Sequence, residues 1–302
     1  MRRLLPLAVI LLVAGEAQAI QNTRPPVIQL PEARRVESRV RPAPFGPGER
    51  MEYEVKLGFM SVGRGWMNVE AVEAVRGRDS YHVSMGIQGG IPLARVNNHL
   101  QSWIDIEDLV ARRFIQDQHE VRYRRYRHFE FYPDELRWER ADSTRPNDPR
   151  SGELPSAFPL DDISFVYFVR TLPLEVGDVY TFHQRYFQES GNPVILQVLR
   201  KDRVEVPAGT FDTVVVRPII RTRGLFSEGG EAEIHFTDDD RRIMVQMRSK
   251  VPVVGSISFH LREMQRGTQL RNFRAEDGVV GEGGTRRRMD GIPSAVIDSD
   301  GA

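Results

Sequence analysis

The densest cluster of groups able to do chemistry is the run Arg122-Tyr123-Arg124-Arg125-Tyr126-Arg127-His128. Guanidinium groups bind phosphate and carboxylate oxygens bidentately and the interleaved rings offer flat apolar faces, so the composition suits phosphates, carboxylates or sugar rings. In an extended chain successive side chains alternate. Arg122 and Arg124 then go to one face, and Tyr123, Arg125 and Arg127 to the other, which is the better candidate because a ring lies beside two cations. The competing reading is a solvated sheet face on which each arginine pairs with a neighbouring-strand carboxylate such as Glu130 or Glu139. Arg170 is the second candidate. A charge among so many apolar residues must find a partner if buried, or be presented to an anion in a cavity. Complementing a helix C-terminus or pairing with a core carboxylate is its alternative role.

Catalytic signatures fail by small margins. Gly58-Phe59-Met60-Ser61-Val62-Gly63 has one residue too many for a nucleophile elbow and lies between strands rather than at a strand-to-helix turn. His119-Glu120-Val121-Arg122-Tyr123 has a tyrosine where a zinc helix needs its second histidine. His82, His99, His128, His183, His235 and His260 show no ligand spacing, and Asp238-Asp239-Asp240 lacks the glycine and distal glutamate of a calcium loop. No catalytic set, metal or cofactor is therefore expected. A non-catalytic binding or carrier module is favoured over an enzyme, with a structural envelope protein that binds other proteins as the alternative and a hydrolase behind it.

The element that could organise a core around these groups is the segment 160–173. Asp161 or Asp162 can cap a helix start by accepting the free amide hydrogens of the first turn, and Pro173 stops it by supplying no donor. The spacing predicts a helix over residues 162–171, about 15 Å long. Ile163, Val166 and Tyr167 form one apolar stripe, and Phe165, Phe168, Val169 and Leu172 another, so the helix is apolar nearly all round and must be buried. Its partner can only be sheet. Met51, Tyr53, Val55, Leu57 and Phe59 alternate with polar residues, as do Tyr81, Val83, Met85 and Ile87, and further strand-like stretches follow up to residue 261. Gly63 and Gly65 read as the first turn, and residues 142–157 as a loop leading to the helix. About a dozen strands around one apolar helix cannot lie flat without leaving a face wet. The expected fold is mainly β: a single antiparallel curled sheet or barrel-like domain of about a dozen strands packed around one short helix.

Residues 1–19 have the three parts of a secretory signal: Arg2 and Arg3, apolar residues 4–14, and the cleavage site Ala17-Gln18-Ala19. The apolar run falls short of the ~20 residues that span a bilayer, and no later stretch reaches that length. No transmembrane segment is expected after cleavage, and the protein is expected in the periplasm. Without cysteine, neither a disulfide nor a lipid at the cleavage site is available. Residues 20–44, rich in proline and arginine, are expected as a linker, 45–264 as the β domain, and 265–302 as a disordered tail of low apolar content. The 42 basic and 42 acidic residues balance, which gives no general attraction to nucleic acid, and no nucleic-acid partner is expected.

The turn sequences together carry a resemblance. Phe45-Gly46-Pro47-Gly48-Glu49-Arg50-Met51-Glu52-Tyr53, the segment 58–65, residues 162–177 with Tyr167, Arg170, Pro173 and Gly177, and Val206-Pro207-Ala208-Gly209-Thr210-Phe211 followed by 238–242 have an order and spacing that resembles the exported bacterial family catalogued as domain of unknown function 3108. The resemblance covers roughly residues 45–264. It implies a mostly β, secreted or periplasmic protein of unassigned activity and supplies no catalytic residues. From the residues themselves, the expected ligand is amphipathic and anionic, a lipid or an acidic glycan. A curled sheet with apolar alternation gives a greasy interior, while Tyr123, Arg125, Arg127 and Arg170 supply ring and oxyanion contacts.

Overall fold

The structure is a computed structural model that describes residues 41–91, 94–120, 123–142, 150–220, 232–251 and 255–289. The expected signal at 1–19, most of the expected linker, and residues 290–302 lie outside them. In chain order the elements are β1 (Arg50–Leu57), β2 (Met60–Val75), β3 (Arg78–Ile91), β4 (Ala94–Asp105), β5 (Ala111–Glu120), β6 (Tyr123–Tyr132), β7 (Arg137–Arg140), β8 (Ser151–Glu153), helix α1 (Asp162–Val169), β9 (Asp178–Phe182), β10 (Val194–Val206), β11 (Gly209–Ile219), β12 (Ala232–Thr237), β13 (Met244–Val251), β14 (Gly255–Gln265) and β15 (Gly284–Arg288). They form one sheet in the order β15-β9-β10-β11-β12-β13-β14-β1-β2-β3-β4-β5-β6-β7-β8. Two antiparallel meanders thus meet where β14 pairs with β1. β15 and β8 are edges, so the sheet curls without closing into a barrel. The curl is visible in the packing: Phe187, just beyond β9, lies 6.2, 5.1 and 5.2 Å from the rings of Phe114, Phe129 and Phe131 on β5 and β6.

α1 forms where its sequence requires. Asp161 Oδ1 accepts the amides of Ile163 and Ser164, both at 2.9 Å, while Ser164 Oγ accepts the Asp161 amide at 2.7 Å, a reciprocal cap of the first turn. Every residue from Ile163 to Val169 is buried. Fully burying a phenylalanine such as Phe165 contributes about 1.5–3 kcal/mol, so this one-helix core is a large part of what holds the sheet in its curl. The helix ends two residues before the predicted boundary, with Arg170 as C-cap and Thr171 bonded back to the Phe168 carbonyl. Ser102 of β4 donates to Asp161 Oδ2 at 2.6 Å, and Phe45 packs between Tyr81 and Tyr167 at 5.2 and 4.9 Å, which fixes the helix against the concave face of β3 and β4.

Several expectations are corrected. The first turn is at Gly58 and Phe59, with Gly58 at φ +59°, and Gly63 and Gly65 lie inside β2. Gly65 serves close approach instead of turning, since a Cβ there would sit 2.8 Å from the Phe259 ring. The loop expected at 142–157 contains the short edge strand β8. Ala43 is buried and the Arg41 amide donates to the Ile106 carbonyl at 2.9 Å, so the folded body starts before residue 45.

Residues 265–289 are not a disordered tail. The Thr268 amide donates to the Pro47 carbonyl at 2.9 Å, Phe273 is buried, and β15 pairs with β9. The glycines that lower the apolar content are contact points for backbone: a Cβ on Gly267 would lie 2.0 Å from the Gly46 oxygen, and one on Gly278 2.7 Å from the Thr171 oxygen. Arg286 is held by Asp178 at 2.7 Å and Glu175 at 3.2 Å.

Candidate functional site

Register and alternation decide which side chains share a face. Phe129 of β6 stands opposite Phe114 of β5, which stands opposite Ser102 of β4, and all three are buried, so theirs is the concave face. Two residues further along, the same face carries Arg127, Gln116 and Leu100 as cross-strand neighbours. The next row is Arg125, Gln118 and Asn98, and the last is Tyr123, Glu120 and Val96. On the β3 side the rows become apolar, with Met85 beside Leu100 and Ile87 beside Asn98. Leu100 and Ile87 are partly buried against the core. The arrangement is a concave surface with two arginines on β6, the amides of Gln116 and Gln118 and the acid Glu120 on β5, and mainly apolar residues on β3 and β4.

Its inner end abuts the start of α1. Tyr186 donates to Asp162 Oδ1 at 2.9 Å, Gln116 approaches Asp162 Oδ2 at 3.3 Å, and Asn98 donates to Glu120 at 2.6 Å. Burial pushes the Asp161 carboxyl up to about 7, against the hydrogen bonds from Ser102 and the helix amides. Burial also raises Asp162, against the Tyr186 hydrogen bond, and Glu120, against that of Asn98. Each of these shifts runs towards the neutral form of the acid.

Tyr123, Arg125 and Arg127 share this face as alternation requires, Tyr123 exposed and the two arginines half-buried. The carboxylates expected to neutralise the run are engaged elsewhere. Glu130 accepts from Arg113 at 2.5 Å and His128 at 2.7 Å and is also paired with Arg76, while Glu139 is held by Arg137 and Tyr132. Although burial works the other way, those hydrogen bonds from His128, Arg113 and Arg76 bring Glu130 down to about 2. Among the described residues no carboxylate lies within ion-pair reach of Arg124, Arg125 or Arg127. Register gives the reason: Arg113 stands directly opposite Glu130, whereas Arg127, Arg125 and Arg124 stand opposite Gln116, Gln118 and His119.

Arg170 does not belong with them. It is fully buried, and its Nη1 and Nη2 donate to the two carboxylate oxygens of Glu49 at 2.6 and 2.9 Å, with a further bond to the Arg241 carbonyl at 3.0 Å. Its guanidinium also lies 5.2 and 5.4 Å from the Phe45 and Tyr167 rings. The expected ligand role is corrected to a structural one, set by a partner 121 residues earlier in the chain. Arg185 is likewise closed off: it is 2% exposed, lies 4.5 Å over Phe168, and donates to the Glu282 carbonyl at 3.1 Å. Burial and the nearby Arg41 push it down to about 9.

Asn98, Gln116, Gln118, Glu120, Asp162 and Tyr186 were not recognisable as site residues, because only the cross-strand register brings them to the arginines. Ser61 and His119 are not assembled into a dyad. They sit on β2 and β5, with β3 and β4 between them. His119 is 2.8 Å from Asp117. Among the described residues no group of three or more His, Asp or Glu side chains could hold a metal ion. On the opposite, convex face a shallow hollow lies between Val179, Thr181, Ile195, Ile219 and Arg287.

Fold and site together define a class: an open, barrel-like antiparallel sheet wrapped on one buried helix, with an amphipathic patch on its concave face. The family model described as "Protein of unknown function (DUF3108)" matches residues 52–262, well over half of the chain, and the chain belongs to that family. None of the curated proteins matches it. Among solved structures, it is similar to a β-barrel-like protein of domain of unknown function DUF1849 from Brucella abortus, at 9% identity over 72% of this chain and 97% of that one, TM-score 0.44. It is also similar to a protein described as a lipoprotein from Parabacteroides distasonis, at 11% identity over 74% and 99% of the two chains, TM-score 0.33. A third is described as exported with a YmcC-like fold, from Bacteroides fragilis, at 10% identity over 75% and 100%, TM-score 0.27. None of these three likenesses is close enough to carry an argument about this chain. No helix among the described residues is long and apolar enough to cross a membrane.

Proposed function

We propose that the protein is a non-catalytic binding or carrier module, exported to the periplasm by its N-terminal signal, whose concave face takes an amphipathic anionic molecule of the lipid class. The observation that carries this reading is a pair of arginines, Arg125 and Arg127, that have no carboxylate partner among the described residues and share a face with apolar neighbours. The guanidinium groups suit a phosphate or carboxylate headgroup, and the amides of Gln116, Gln118 and Asn98 add neutral hydrogen bonds. Leu100, Ile87 and Val96 offer the apolar strip that a hydrocarbon chain needs. An acidic glycan would use the arginines and leave that strip uncovered, so lipid is preferred. The test is mass spectrometry of small molecules that co-purify with the exported protein, for the parent and for Arg127→Gln. An anionic lipid on the parent and its loss from the variant is the expected result. The same molecules on both, or none on the parent, rejects the reading.

A further inference from the structure

Neighbouring strands are antiparallel, so β1 and β2, β3 and β4, and β5 and β6 adjoin at one and the same end of the sheet. That end carries an uncovered apolar and cationic surface. Phe59, in the turn between β1 and β2, is 93% exposed, and Met60 beside it 48%. Gly58, at φ +59°, makes the tight turn that lifts Phe59 clear of the sheet. Tyr123 and Tyr126, at the start of β6, are 42% and 51% exposed. Arg95 at the start of β4 and Arg124 on β6 are exposed as well, and neither has a carboxylate partner among the described residues. From the β1/β2 turn to the start of β6 is four strand spacings, about 20 Å, short enough for one extended surface to meet all of these groups together.

We propose that this end docks on a membrane surface containing anionic phospholipid. Phe59 and Met60 enter the boundary between headgroups and acyl chains, Tyr123 and Tyr126 sit at headgroup level, where a ring with a polar tip is favoured, and Arg95 and Arg124 meet the phosphates. Charge complementarity selects the partner. The cations at this end stand beside bare apolar side chains, and a leaflet supplies both the counter-charge and the cover. Docking stands on these tip residues alone and does not require the concave face to be filled. Where that face does hold lipid, its last rows open towards the docked leaflet.

The experiment is co-sedimentation of the protein, recovered after export, with phosphatidylcholine vesicles containing about one third phosphatidylglycerol, a charge that attracts basic segments. The parent is expected to bind. Phe59→Ser combined with Met60→Ser should weaken binding at least about tenfold, and Arg124→Gln about fivefold, with melting temperature unchanged. As a second readout, Phe59→Trp should add a fluorescence component that moves to shorter wavelength with these vesicles and is quenched by brominated acyl chains. No binding by the parent, an unchanged affinity in the Phe59→Ser/Met60→Ser variant, or no spectral change for Phe59→Trp would each overturn the proposal. Lipid content of the concave face is read separately by mass spectrometry of the same samples. An empty face with normal docking removes the carrier reading alone, and a filled face without docking removes this one alone.

Discussion

Arginine has two different fates at the two ends of strands β2 to β6. Where β2 turns into β3 and β4 into β5, Arg78 and Arg112 hold Asp105 at 2.9 and 3.1 Å, and Arg76 and Arg113 hold Glu130. At the same end Arg170 holds Glu49 and Arg241 holds Asp239. At the other end Arg95, Arg124, Arg125 and Arg127 have no carboxylate among the described residues, and their cross-strand neighbours are Gly90, His119, Gln118 and Gln116. An acid across the strand makes an arginine part of the framework. A glycine, imidazole or amide there leaves its charge for something outside the chain.

The paired end should show the largest effect. Glu49→Ala would leave the Arg170 guanidinium buried without its acid, and should cost about 3–5 kcal/mol in urea unfolding. Adding Arg170→Met should restore most of that loss, because the penalty lies in the abandoned charge. A loss below about 1 kcal/mol would show that the pair is not what holds this end together.

The acid beneath the concave face couples stability to pH. Asp161 has a folded value of about 7, above its ordinary 3.8, so the folded state keeps a proton that the unfolded chain releases. The stability this adds is fully present below pH 4 and is lost as pH rises through 7. His235, pushed down to about 4 by burial, acts in the opposite sense, losing its contribution as pH falls from 6.5 to 4. The difference between Asp161→Asn and the parent isolates the aspartate. The variant should gain on the parent by about 2–3 kcal/mol between pH 5 and pH 8, measured by denaturant unfolding at each pH. A constant difference would mean that the carboxyl ionises freely in the folded protein.

Much of the framework was legible because it depends on local periodicity. α1 announced itself through residues apolar on every side, an acid at its start and Pro173 after its end, and the alternation from Tyr81 to Ile87 lies within β3. Two of the misreadings trace to glycine, whose two uses look alike in sequence. Gly63 and Gly65 read as a turn, and the segment that holds Gly267 and Gly278 as a disordered tail, yet Gly65, Gly267 and Gly278 are places where a ring or a backbone oxygen comes too close for a Cβ. The site was half legible. Alternation put Tyr123, Arg125 and Arg127 on one face, but which acids they would miss depends on register, and Glu49 meets Arg170 only because the helix end and the start of β1 are brought together by the fold.

On the proposed function, Arg125 and Arg127 are unneeded for the fold and needed for the ligand. The direct measurement is denaturant unfolding of the Arg125→Gln/Arg127→Gln double variant alongside its binding of a fluorescent anionic lipid, set against Arg76→Gln/Arg113→Gln from the paired end. The expected result is a stability within about 0.5 kcal/mol of the parent with binding reduced at least tenfold. The paired-end variant should instead lose about 1–2 kcal/mol and keep its binding. A double variant at Arg125 and Arg127 that loses stability while binding as the parent does would contradict the account.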